Sequence, residues 1–101
     1  MYFFIALEVF MEDITIDEIM NKYGPIKQAA LRKNDKIYEG KNHAACFIQE
    51  PKGILCDAEQ GFITVNNVFV DRVIALKIAL YFNQIIHKHP PEDMLFSEDI
   101  L

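Results

Sequence analysis

Glu59-Gln-Gly-Phe-Ile-Thr-Val-Asn-Asn-Val-Phe-Val-Asp-Arg72 is the stretch whose reading decides the fold. Residues 61–65 are rich in β-branched and aromatic side chains and predict a strand. Asn66-Asn67 predicts a two-residue turn, because Asn tolerates the left-handed backbone that tight hairpins demand. Val68-Phe-Val70 is then the returning strand. Asp71 is the expected N-cap of a helix running from Arg72 to about His87, since its carboxylate accepts from an N–H of the first turn. Apolar residues from Val73 to Ile86 nearly encircle that helix, which predicts cover on more than one side and a homodimer or higher homo-oligomer. Pro90-Pro91 ends it.

The same grammar precedes it. Residues 26–31 predict a strand, Asn34-Asp35 a turn and residues 36–39 the return strand. Asn42 is the expected cap of a short helix over residues 43–49, with Ala44, Phe47 and Ile48 on one face. Residues 51–60 read as a loop. Further upstream, residues 12–23 predict a helix capped by Thr15 or Asp17, with Glu18 placed for a capping box. Ile16, Ile19, Met20 and Tyr23 are its expected apolar face, and Gly24-Pro25 its stop. The fold class is therefore α+β: a ββαββα-like antiparallel sheet with helices packed on one face, preceded by an N-terminal extension. Residues 1–101 form a single domain, with 1–25 the extension and short helix and 26–101 the α/β core. Asn34-Asp-Lys-Ile-Tyr38 parallels Asn66-Asn-Val-Phe-Val70, which leaves internal duplication and coincidence between two hairpins both open.

Composition bounds the function. The chain has 101 residues, 51% of them apolar, enough for one domain with its own core. Eight Phe and four Tyr point to apolar surface that a partner subunit would cover. A net charge of −5 argues against general nucleic-acid binding, which needs a basic stripe, but leaves room for a small anionic ligand held by placed donors. Two cysteines, Cys46 and Cys56, without a CxxC pair exclude a zinc ribbon and a disulfide scaffold, and both read as reduced and semi-buried. The apolar run of residues 1–10 lacks a basic lead, is broken by Glu8 and is too short to span a bilayer. It reads as a strand or helix packing on the domain or on a partner, not as a membrane segment, with Met11 a second candidate start.

Few polar residues invite chemistry. Asp71-Arg72 is either a cap with a solvated Arg or an anion site in which Arg72 is a bidentate donor at a helix N-terminus. Lys41-Asn42-His43 offers the same ingredients, and a His there is expected to be neutral with a depressed pKa. Gln60, Phe62 and Thr64 are either ordinary sheet residues or a platform that stacks a base and bonds its edge, with Gly61 marking close backbone approach. His87 and His89 would need further metal ligands, and Pro90-Pro91 stiffens the path to Glu92 and Asp93, so no metal and no cofactor are expected. No G-x-S-x-G, H-E-x-x-H or Gly-rich phosphate loop occurs. Ser97 lacks a base near it in sequence, which leaves a spatial partner such as His43 open, and nothing beyond residue type pairs Cys46 or Cys56 with His43. The reading is a binding domain and not an enzyme.

Glu59-Gln-Gly-Phe-Ile-Thr64, Phe69-Val-Asp-Arg72 and Leu95-Phe-Ser-Glu-Asp-Ile100, preceded by Ile37-Tyr38 and Gly40-Lys41 with His43, together resemble small phage and prophage proteins with GF-x-T, F-V-(N/D)-R and L-F-S-E-D-L motifs. The chain looks most like the phage anti-defence proteins that block Thoeris immunity. That resemblance implies a protein of the infected host's cytoplasm that binds a cyclic ADP-ribose or cyclic oligonucleotide signal without cleaving it, as an oligomer. It implies Phe62 or Phe69 stacking the base, Arg72 and Lys41 holding phosphates, and Asp71, Asn67 or Thr64 bonding ribose or base edges. Val65-Asn-Asn-Val68, Val73-Ile-Ala75 and Asn83-Gln84 depart from the usual turn, acidic helix start and Gly-Gln. An inhibitor docking on a host defence enzyme and a small nucleotide-processing enzyme are the alternatives.

Overall fold

The computed structural model describes residues 14–51 and 53–100, so the expectation for residues 1–10 lies outside the described chain. In order come α1 (Ile16–Glu18, running into a π turn Ile19–Tyr23), β1 (Ile26–Lys33), β2 (Lys36–Gly40), α2 (His43–Phe47), β3 (Glu59–Thr64), β4 (Phe69–Asp71), α3 (Arg72–Tyr81) and a 3-10 turn, Ser97–Asp99. The strands form one antiparallel sheet in the order β2-β1-β3-β4. This is the α+β, ββαββα arrangement the sequence predicts. Each hairpin is followed by its own capped helix, and the antiparallel β1–β3 pair joins the two units at the centre of the sheet.

The sheet has two unlike faces. Ala29, Leu31, Phe62 and Val70 join Cys46, Ala75, Leu76, Ile78 and Ala79 of the helices in one core cluster. Burial of these apolar surfaces is the main favourable term in folding. Ala30 and Ile63, one residue out of phase, are buried but stand outside that cluster, as period-two alternation requires. On their face Arg32 binds Glu59 at 2.6 Å and lies 4.6 Å over the Phe69 ring. Gly61 is fixed by this packing. A Cβ there would come within 2.2 Å of the Val70 carbonyl oxygen and 2.7 Å of Phe69 Cζ.

The turns carry the local corrections. Asn34 (φ 51) and Asp35 (φ 65) are both left-handed, which suits the two-residue hairpin predicted for them. The second hairpin is not a two-residue turn. Only Asn67 is left-handed (φ 63), Asn67 N–H donates to the Thr64 carbonyl at 2.9 Å, and Val65–Asn67 form a three-residue loop.

The helices are shorter than their periodicity suggests. Thr15, not Asp17, caps α1, with the Glu18 capping box in place. The π turn, closed by Gly24 N–H on the Ile19 carbonyl at 2.7 Å, breaks the expected apolar face. Ile19 is buried, whereas Ile16 and Met20 are 48% and 56% exposed. Asn42 caps α2 through Ala45 N–H at 2.8 Å, but its buried face is His43 and Cys46, leaving Ala44 and Ile48 outside.

The third helix stops at Tyr81, well before His87. Asn83 takes φ 56, its N–H bonds the Leu80 carbonyl, and Gln84 N–H bonds that of Ala79 at 2.8 Å. This double closure is a Schellman cap, which favours Gly and accepts Asn. The Gln84 side chain then pairs with Ile26 like a neighbouring strand, accepting from its N–H and donating to its carbonyl, both at 2.9 Å. The cysteines also differ from expectation: Cys46 is buried and donates to the Ala29 carbonyl, while Cys56 is exposed.

Candidate functional site: a cleft between two helix starts

The two helix starts singled out in the sequence meet. A cleft of ≈ 340 Å³ is lined by Asn42, His43 and Ala44 from the α2 start, Arg72 from the α3 start, and Phe96, Ser97 and Glu98 from the tail. The tail is held across them from both sides. Leu95 N–H donates to the Arg72 carbonyl at 3.0 Å, and Arg72 Nη1 donates back to the Leu95 carbonyl at 2.7 Å. Farther along, the Asp99 carboxylate is fully buried and accepts from Phe96 N–H, His89 N–H and His89 Nδ1, with Lys88 Nζ at 3.3 Å. Burial alone would push that carboxyl up, but the Phe96 and His89 hydrogen bonds outweigh it and hold Asp99 below the ordinary carboxylate range.

Arg72 is half-buried, and its guanidinium stacks 4.5 Å from the Phe96 ring. Its second donor, Nη2, reaches Gln60 Oε1 at 2.5 Å. Both acceptors are neutral oxygens, and among the described residues no carboxylate lies within ion-pair distance of it. Burial lowers its pKa, opposed by the Glu98 and Asp99 charges, yet a guanidinium stays charged at any physiological pH.

His43 is 8% exposed, with Nε2 2.7 Å from the Gly61 carbonyl oxygen and its ring edge-on to Phe62 at 5.1 Å. Its pKa is depressed, first by burial and also by Arg72. The direction is the one expected from sequence, but its leading cause is the core and not the helix dipole.

The remaining predicted residues separate. Gln60 braces Arg72 and lines a neighbouring open cleft of ≈ 490 Å³ with Asp71, Met94 and Phe96. Asp71 is committed to its cap, accepting from Ile74 N–H at 2.8 Å. Lys41 is exposed and lines a third cleft of ≈ 250 Å³ beside Lys27, Gln84 and Ser97. Phe62 and Thr64 are 0% exposed, so neither presents a face or an edge to a base; Thr64 Oγ1 accepts from Val68 N–H instead. Asn67 sits at the hairpin tip and accepts from Lys27 Nζ, and Phe69 lies under Arg32 on the opposite sheet face.

Phe96 and Glu98 are site residues that sequence reasoning missed; Ser97, weighed there only as a nucleophile, shares the cleft with His43 and donates its hydroxyl to Glu98 at 3.1 Å. Their motif stands out in the sequence, but nothing local to it says that the tail lies across the helix starts. His87 and His89 face each other edge-on at 4.8 Å, and no group of three potential ligands for a metal occurs among the described residues.

The profile of the phage T4 y16D protein family matches residues 20–101. The chain belongs to this family. Every residue lining the cleft lies within the part matched to y16D, and the family is a phage one, as expected. No curated protein and no solved structure matches the chain. No helix among the described residues is long and apolar enough to cross a membrane.

Proposed function

We propose that this phage protein is an anti-defence factor that binds a cyclic ADP-ribose or cyclic oligonucleotide signal in the host cytoplasm and holds it uncleaved. The observation that carries the reading is Arg72: a half-buried cation, hydrogen-bonded among the described residues to neutral oxygens alone, at the wall of a cleft of ≈ 340 Å³. Taking a cation partly out of water without a direct ion pair is costly; the Glu98 and Asp99 charges offset part of that cost, and an anionic ligand on the guanidinium would offset more. The cleft falls in the size range of small-molecule sites. Beside the cation stand an aromatic ring, Phe96, and the acceptors His43 and Glu98, which match a ligand combining phosphates, a base and ribose hydroxyls. Sequestration needs affinity and no reacting group.

The protein is incubated with cyclic ADP-ribose isomers and cyclic oligonucleotides, freed of unbound ligand, then heated and analysed by mass spectrometry. Recovery of one intact ligand supports the reading, recovery of a cleaved product makes the protein an enzyme, and capture of none sinks it. Arg72→Ala should weaken binding by about 1.5–3 kcal/mol, the range for hydrogen bonds to charged groups. The assembly is proposed to be a homodimer or larger. Ile48 and Ile86, 81% and 69% exposed, are apolar surface such an interface would cover, and sedimentation velocity tests it.

A further inference from the structure

His43 has a feature that the anion reading does not use. Its Nε2 stands 2.7 Å from the Gly61 carbonyl oxygen. A carbonyl only accepts, so Nε2 carries the proton and donates. Burial keeps the ring from taking a second proton, which leaves Nδ1 as a bare lone pair. Among the described residues Nδ1 finds no donor, although the residue is 8% exposed. Yet no buried side-chain nitrogen or oxygen among the described residues lacks a partner. Nδ1 is therefore open to solvent, and of the three clefts described His43 lines the Arg72 cleft. The ring cannot turn away, since rotation would break the Gly61 bond and the edge-on Phe62 contact.

We propose that His43 Nδ1 is a fixed, neutral hydrogen-bond acceptor that makes the cleft selective for ligands pairing an anionic group with a hydroxyl or amino donor. The claim rests on the sequestration reading above and sharpens its substrate class. Arg72 takes the anion and tolerates any phosphate or carboxylate. His43 adds discrimination, because a ligand with no donor there would desolvate Nδ1 and leave it unpaired, and sites built around such an acceptor reject analogues lacking the donor.

Two variants separate the roles. Glutamine places an amide nitrogen near the Nε2 position and none at Nδ1, so His43→Gln keeps a donor for Gly61 and deletes the acceptor. His43→Asn does the reverse. The probe is ADP-ribose, which carries phosphates, ribose hydroxyls and an adenine amine. It is titrated into protein carrying ¹⁵N in its His and Arg side chains, with affinity measured by calorimetry and melting followed in parallel. The expected result is a free protein with Nδ1 unprotonated, a Nδ1 resonance that moves on binding, and His43→Gln binding at least tenfold weaker while it still melts in one cooperative transition. His43→Asn should melt earlier. A protonated Nδ1 in the free protein, a Nδ1 resonance that stays still while Arg72 responds, or His43→Gln binding like the wild type overturns the proposal and spares the sequestration reading. Silence of both Arg72 and His43 toward ADP-ribose and the cyclic panel overturns both.

Discussion

Replacing Gln84 by alanine removes a side chain that acts as a piece of sheet. Gln84 Oε1 accepts from Ile26 N–H and Nε2 donates to the Ile26 carbonyl, each at 2.9 Å, where β1 begins and its pairing with β3 is irregular. Ile26 is 5% exposed, so water is a poor substitute for either bond. At about 0.5–1.5 kcal/mol net per hydrogen bond, the loss is ~1–3 kcal/mol. In a chain this small, each kcal/mol moves the melting temperature by about 4–8 °C. Urea denaturation at pH 7 measures it as a lower midpoint at unchanged slope. Gln84→Glu gives a second, signed test. Its carboxylate still accepts from Ile26 N–H, but the other oxygen now faces the Ile26 carbonyl. The variant should be less stable than Gln84→Ala at pH 7 and should close that gap near pH 4, where a protonated Glu can donate. A midpoint for Gln84→Ala equal to the wild type, or a Gln84→Glu variant indifferent to pH, would refute the account of this contact.

Acid should release the tail. Because the Asp99 carboxyl is held below its ordinary range, its contribution is fully present above the unfolded value of about 3.9 and fades as pH falls through the folded one; Asp99→Asn should lose stability at pH 7 and flatten that acid limb in pH-dependent melting. Gly61→Ala should cost about 1–3 kcal/mol or more, since the new methyl meets the Val70 backbone, and a wild-type urea midpoint would contradict it. In a thiol-labelling assay at pH 8 Cys56 should react and Cys46 should not, as burial pushes the Cys46 thiol up to about 11.

Capping and turn chemistry were the most legible part of the sequence. Thr15, Asn42 and Asp71 each cap the helix predicted for them, because a cap is decided by a side chain and the three residues after it. Helix length was not legible. Apolar residues run on past Tyr81, so periodicity alone extends α3, and only the left-handed Asn83 and the reach of Gln84 to Ile26 end it. The same limit applied to the site. Arg72 and His43 advertise themselves at helix starts, but Phe96 and Ser97 reach the cleft through Asp99, Lys88 and His89, contacts set by tertiary docking. Phe62 shows the converse: of the two readings open for it with Thr64, ordinary sheet residues or a base platform, burial of both side chains selects the first.

The cleft takes His43 from one ββα unit and Arg72 from the other, while the units are joined through a loop in which a side chain at Gly53 would touch nothing. That makes the chain a natural candidate for cutting in two. Separate fragments broken at Gly53 would have to find each other through the β1–β3 pair, and neither alone would carry both Arg72 and His43. Ligand capture would then report fragment reassembly, much as a split reporter lights up only when its halves meet.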